Sequence, residues 1–208
     1  MKISNNNLVY NSNYIIKNFS ENIRFKRESY FYKKIIKKKI CIPKVIKISN
    51  NKIFFKKYKF KKVISQKKFL GSLLDFLVII NKVNNYKFYA KDHLISYNLL
   101  KNEVKKKLTR LSKVKLEKNH KLKIKKIILY INKLLSEKNK NTQLDKNKVI
   151  LSQSDIGVHN CASFKNRIYF FDFEYAGMDH PIKILCDTYY QPEIRIKKKK
   201  YVSFHKKI

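Results

Sequence analysis

The residues best suited to chemistry lie toward the C-terminal end of the chain. Ser154, Asp155, Ile156, Gly157, Val158, His159 and Asn160 come first, and Phe171, Asp172, Phe173 and Glu174 follow after one short turn. An Asp, an Asn five residues later and a second Asp closing an apolar run form a compact set for phosphoryl transfer. One carboxylate orients an attacking hydroxyl, while an amide oxygen and the second carboxylate hold magnesium on nucleotide phosphates. Taken singly, Asp155 is a loop carboxylate and Asp172 a strand-end cap. Their joint spacing with Asn160 carries the reading. His159 either orients the loop by hydrogen bonding or is a packed imidazole.

These side chains need elements to hold them. Val149, Ile150 and Leu151 read as a short buried strand, and Arg167 to Phe171 as a second, with Lys165 and Asn166 turning between them. Pairing of those two strands is expected to bring Asp155, Asn160 and Asp172 to one end of a hairpin.

From Leu151 to Pro192 the chain resembles the aminoglycoside phosphotransferase and choline kinase-like family, relatives of the protein kinases. Ser-Gln-Ser-Asp155-Ile-Gly-Val-His-Asn160 is similar to that family's catalytic loop. Phe-Phe-Asp172-Phe-Glu-Tyr-Ala-Gly is similar to its metal-binding segment, and Asp179 to Asp187 to the helix that follows. The resemblance implies an α+β, two-lobed protein-kinase-like fold. A small β-rich N-terminal lobe with one helix would bind nucleotide (residues 1–60), and a larger, mainly helical lobe would carry the catalytic hairpin (61–208). It implies ATP and Mg2+, with Asp155 as catalytic base, Asn160 and Asp172 as magnesium ligands, and Asp187 as support for the loop. The acceptor would be a hydroxyl of a small molecule, sugar-like or an amino-alcohol. Two departures stand out: Gln153-Ser154 occupies the place where many relatives carry His-Gly, and Glu174 the place where protein kinases prefer Gly.

Upstream, Leu8 to Tyr10 and Tyr14 to Phe19 read as strands joined by Asn11-Ser12-Asn13. Ser20 offers an N-cap for a helix over Glu21 to Lys39, and Val45 to Ile48 with Lys52 to Tyr58 form a second hairpin around Ser49-Asn50-Asn51. In kinases a strand lysine grips the phosphates and pairs with a helix glutamate. Lys17 and Glu28 are the candidates, Glu28 sharing its helix face with Phe31 and Ile35. The alternative for Lys17 is one solvated lysine among many, and for Glu28 a surface pair with Arg24. No glycine lies between the first two strands, where kinase-like clamps often use them. Asn11 and Asn13 are expected to supply left-handed turn geometry instead. Phe54 to Tyr58 reads as a hinge strand and Lys59 to Ser65 as a basic connector. Gln66 to Val83 is a buried helix with Phe69, Leu70, Leu73, Leu74, Leu77 and Ile80 in helical spacing. Asp92 to Leu111 and Lys121 to Glu137 are amphipathic helices, Asn139 to Asn147 a polar loop, and Lys197 to Ile208 a basic tail.

Composition bounds the alternatives. A chain of 208 residues with 44% hydrophobic content buries a real core. Its formal charge of +36 suggests a polyanionic partner, with an AT-rich coding bias toward Lys, Asn and Ile as the plainer explanation. Three separated cysteines without metal-ligand spacing, and no apolar leader or span, point to a reducing cytoplasmic setting. Two other classes stay open. One is a catalytically degenerate nucleotide-binding module, suggested by the glycine-poor clamp. The other is a basic polyanion-binding or nucleic-acid-binding protein, with non-specific binding expected in any case.

Overall fold

The computed structural model describes residues 7–63, 65–90, 97–113, 118–137, 148–190, 193 and 196. Four strands, β1 (Asn7–Tyr10), β2 (Tyr14–Asn18), β3 (Val45–Ser49) and β4 (Lys52–Lys56), form an antiparallel sheet in the order β1-β2-β4-β3. Helix α1 (Asn22–Ile35) connects β2 to β3. The β3–β4 turn places Asn50 and Asn51 at φ 48 and 57. Two successive left-handed residues let a two-residue turn follow the strand twist, and asparagine tolerates that geometry better than most side chains. The β1–β2 turn differs from expectation: neither Asn11 nor Asn13 is left-handed. It closes through the Asn11 N–H on Tyr14 O at 2.9 Å, and Lys57 Nζ donates to Asn11 O at 3.0 Å.

Helix α1 is shorter than its sequence suggests. The N-cap position is Glu21, not Ser20, and it makes no side-chain cap bond. Glu21 instead pairs with Arg24 at 2.7 Å, one turn on. The helix stops at Ile35 because the following Lys37-Lys38-Lys39 offers no apolar side chain to extend its buried face. That face carries Glu28, Phe31, Tyr32 and Ile35, all fully buried.

Helices α2 (Gln66–Ile80), α3 (Tyr97–Ser112) and α4 (Lys118–Glu137) follow. Ser65 caps α2 by accepting from Lys68 N at 3.3 Å. The predicted apolar spacing of α2 is buried as expected, except that Leu74 is only partly buried and Phe76 enters the core. The start of the predicted third helix at Asp92, the polar loop over 139–147 and the basic tail over 197–208 lie outside the described residues. No helix among the described residues is long and apolar enough to cross a membrane.

The C-terminal part contains β5 (Ile150–Ser152), β6 (Cys161–Phe164), β7 (Arg167–Phe170), β8 (Gly177–Asp179) and α5 (Pro181–Tyr189). The expected pairing of the strand before Asp155 with the strand before Asp172 is not what forms. β5 pairs with β8, and β7 pairs with β6. Lys165 and Asn166, at φ 45 and 64, make a two-residue left-handed turn. Such a turn joins only the strands that flank it, so Arg167–Phe170 takes Cys161–Phe164 as its partner. β5 is held on its other side by one side chain: Asn81 at the end of α2 donates to Leu151 O at 2.9 Å and accepts from Leu151 N at 2.7 Å. β8 is flanked by the segment Phe88 to Ala90, bonded through Met178 N to Phe88 O at 2.8 Å and Ala90 N to Met178 O at 3.0 Å. Gly177 is required there, since a β-carbon would lie 2.3 Å from the backbone of Tyr89 and Ala90.

The core centres on Phe173. Its ring stacks on Phe31 at 4.3 Å, meets Tyr32 edge-on at 5.2 Å and stacks on Phe76 at 5.9 Å, and Phe76 in turn stacks on Phe170 at 4.6 Å. Helices α1 and α2 therefore grip one side chain between them. Its two neighbours in sequence, Asp172 and Glu174, are fixed as a consequence.

Candidate active site

Between the four-stranded sheet and the β5–β8 region lies a cleft of about 600 Å³. Lys17, Glu28, Asp155, Asn160 and Asp172, the five residues singled out in the sequence, all line it. Its other wall is apolar, with Ile15, Phe55, Phe60 and Phe171 among its side chains. The volume falls within the range of small-molecule sites, and the division into a charged and an apolar end suits a ligand carrying phosphates on an aromatic group.

At the charged end Lys17 is the hub. Its Nζ lies 2.6 Å from Glu28 Oε2, 2.5 Å from Asp172 Oδ1 and 3.5 Å from Glu174 Oε2. It is thus not one solvated lysine among many but a buried one. Burial alone works against its charge, but Glu28, Asp172 and Glu174 outweigh it and hold the ammonium above the ordinary lysine value. Burial pushes the Glu28 carboxyl up, to about 7, with Lys17 opposing the rise. Glu28 also faces Lys17 rather than Arg24. Arg24 binds Glu21 and, at 3.0 Å, Glu174 Oε1, and its guanidinium lies over the Tyr175 ring at 5.2 Å.

The loop between β5 and β6 is built from short-range bonds. Gln153 Nε2 donates to Phe171 O at 2.7 Å, tying the loop to the residue just before Asp172. Gln153, at the place where many of the resembling family carry His-Gly, thus supplies a support for the loop. Asn160 sits in a single 3-10 turn (Val158–Asn160), its Nδ2 donating to Asp155 O at 3.0 Å, and its own carbonyl accepts from Phe171 N at 3.1 Å. Asp155 and Asn160 are thereby locked to each other and to the approach of Asp172. Asp172 itself adopts φ 65, a left-handed turn that aims its carboxylate back at Lys17.

Asp155 is half exposed, and His159 Nε2 stands 3.4 Å from its Oδ2. That bond holds the Asp155 carboxyl below the usual carboxylate range despite partial burial. The same bond lifts His159 to about 9, and Glu193 Oε1, at 3.1 Å from Nδ1, supports the shift. An ionised carboxylate open to the cleft beside a cationic imidazole is able to accept a hydroxyl proton.

The donor set fits a hard divalent cation. Asn160 spends its amide nitrogen on Asp155, which leaves its side-chain oxygen as the free end. Asp172 gives Oδ1 to Lys17 while Oδ2 is hydrogen-bonded to nothing among the described residues. Oxygen donors of this kind are what magnesium takes alongside phosphate oxygens. Glu28, Asp172 and Glu174 also gather a ligand atom each within 4.8 Å of one another.

Three participants escaped the sequence reading. Glu174 was noted only for standing where protein kinases prefer Gly, and it is buried in ion pairs with Lys17 and Arg24. Arg24 was weighed only as a partner for Glu28. Lys183 was not singled out at all, and Asp187, expected to support the loop, is linked to it through Lys183, which lies 2.9 Å from Asp187 Oδ2 and from Ser154 O. With 14 acids in 208 residues, every acid here is informative, and the scarcity of acids was the available signal for Glu174. One more lysine among 50 Lys and Arg gives no such signal.

Neither a protein-family model nor a curated protein sequence matches the chain. Solved structures do. The aminoglycoside phosphotransferase APH(2'')-Ib, in an ADP-bound crystal structure, shares 18% identity over 100% of this chain and 78% of its own, with a TM-score of 0.61. The choline kinase LicA from Streptococcus pneumoniae shares 15% identity over 100% of this chain and 72% of its own, with a TM-score of 0.55. The amicoumacin kinase hAmiN, in complex with AMP-PNP, Ca2+ and Ami, shares 14% identity over 98% and 70%, with a TM-score of 0.53. The chain therefore has the two-lobed α+β fold of aminoglycoside phosphotransferases and choline kinases.

Proposed function

We propose that the chain is an ATP-dependent phosphotransferase that moves the γ-phosphate to a hydroxyl of a small molecule, sugar-like or an amino-alcohol. In this reading residues 1–60 form the nucleotide-binding lobe and 61–208 the lobe that carries the catalytic loop and metal-binding segment. The observation that carries it is the convergence of Lys17, Glu28, Asp155, Asn160 and Asp172 on one cleft.

Each residue then has a role set by its surroundings. Lys17, steered by Glu28, neutralises nucleotide phosphates at the buried end of the cleft. Asp155, ionised and reachable, accepts the proton of the incoming hydroxyl and aligns it with the terminal phosphorus. Asn160 and Asp172 would hold Mg2+, which supplies charge neutralisation on the phosphate oxygens when bound. Most of the rate enhancement in such a transfer comes from positioning and electrostatics, with little covalent work for the protein.

The test is ADP release measured against a panel of sugars, amino-alcohols and nucleosides. Asp155→Ala should lower turnover by on the order of a hundredfold or more while nucleotide binding persists. Asp172→Ala should abolish magnesium-dependent nucleotide binding. If neither change alters nucleotide binding or consumption, the assignment of roles is wrong. A second reading, a nucleotide-binding module without turnover, is favoured by one observation: the β1–β2 turn has neither a glycine nor a left-handed residue. A thermal shift with ATP and magnesium, without ADP formation on any acceptor, selects it.

A further inference from the structure

The residue directly before Asp155 is held in a conformation it would not choose. Ser154 lies at φ 68, a left-handed geometry that a serine keeps only when its neighbours impose it. Its N–H donates to Ser152 Oγ at 2.8 Å. Its carbonyl accepts from Lys183 Nζ at 2.9 Å, and its hydroxyl lies 3.3 Å from the same atom. The next amide, Asp155 N, donates to Gln153 O at 2.9 Å. The peptide joining Ser154 to Asp155 is therefore pinned at its oxygen by a cation and at its N–H by the chain itself. The orientation of that peptide sets where the Asp155 carboxylate points.

Lys183 is equally constrained. It lies buried on α5 with Asp187 Oδ2 at 2.9 Å, one turn later, and Asp179 Oδ2 at 3.6 Å, four residues earlier. Asp179 is wholly buried in β8, and its Oδ1 accepts from His180 N at 2.8 Å. The start of α5 is fixed as well: Pro181 occupies the first turn and His180 Nδ1 accepts from Ile182 N at 3.2 Å. An ammonium taken out of water and held between two carboxylates makes a strong, charge-assisted bond to the Ser154 carbonyl.

We propose that Lys183 is a positioning residue for phosphoryl transfer, holding the Ser154 peptide so that Asp155 faces the acceptor. This rests on the phosphotransferase reading above. A lysine that merely glued α5 to the loop would change stability and leave turnover alone. A positioning lysine changes kcat.

The test compares Lys183→Met in two backgrounds. In the wild-type background, turnover should fall by on the order of a hundredfold, the scale of a base displaced by about 1 Å, with the nucleotide KM changed less than about threefold. In a Ser154→Gly background the same substitution should cost far less, because glycine reaches positive φ unaided. Wild-type turnover in Lys183→Met, or an equal loss in both backgrounds, overturns the proposal. Should Lys183→Met fail to fold, Lys183→Arg keeps the charge but replaces a point donor with a longer planar fork. It should still lose turnover at unchanged nucleotide KM, and full activity there overturns the proposal. If the unsubstituted protein releases no ADP with any acceptor, it is the phosphotransferase reading that fails. Amide hydrogen exchange then still tests the loop: Lys183→Met should speed exchange at Ser154 and Asp155 and leave α2 unchanged, and identical exchange at those two amides overturns the contact itself.

Discussion

Replacing Lys17 with Met probes the charged end of the cleft through stability alone, with no need for an acceptor. The apolar stem is kept and only the charge and its bonds are lost. Glu174 retains Arg24 at 3.0 Å, but Glu28 is left wholly buried with its cation gone. Removing one partner of a buried pair costs about 3–5 kcal/mol. The full cost is felt only where Glu28 stays ionised, and burial already pushes that carboxyl to about 7 against the opposition of Lys17. Without Lys17 it rises further above its unfolded value. A carboxyl raised in the folded state contributes stability below its unfolded pKa, and that contribution is lost as pH climbs through the folded one. Unsubstituted protein and variant share this loss up to about pH 7. Above that only the variant continues to lose, at about 1.4 kcal/mol per pH unit. Urea denaturation followed by far-ultraviolet circular dichroism should thus give a deficit of about 1–2 kcal/mol in mild acid, growing toward about 3–5 kcal/mol in mild alkali. Adding Glu28→Gln should flatten the dependence. A deficit below about 1 kcal/mol, or one that ignores pH in both variants, would refute an obligate buried pair.

Two further outcomes follow from local geometry. Gly177→Ala should destabilise by about 1–3 kcal/mol or more, since the clash is with the Tyr89–Ala90 backbone rather than a flexible side chain; a neutral effect on the melting temperature would contradict the packing of β8. Burial pushes the Cys161 thiol up to about 12, so in the folded protein it should resist alkylation at mildly alkaline pH. Exposed Cys186 should react, and peptide mapping after iodoacetamide separates the two.

The convergence of the singled-out residues on one cleft was more legible than the strand pairing beneath it. Asp155, Asn160 and Asp172 could be read because their spacing is local and the loop that carries them is short. Lys17 and Glu28 could be read because strand and helix periodicity fix which face each occupies. The partner of β5 could not, because three residues carry no record of which edge will accept them. That choice falls to Asn81 and Gly177, whose roles appear only once distant segments meet. The Ser20 cap failed for a related reason: the Glu21–Arg24 pair and the buried face of α1 outweigh one hydroxyl at the helix end. Lys183 is invisible in a lysine-rich chain. Only burial between two acids distinguishes it from its many solvated copies.

The connector between the sheet and the helices is stitched down. Lys61 and Ser163 exchange backbone bonds, each 2.8 Å long, so the connector is fastened to β6 at that point. The residues just before the stitch run along the cleft, and the side chains of Lys56 and Phe60 both line it. A flat ring lodged against Phe60 would therefore rest on a wall that is anchored, through Lys61, to the strand that begins directly after Asn160.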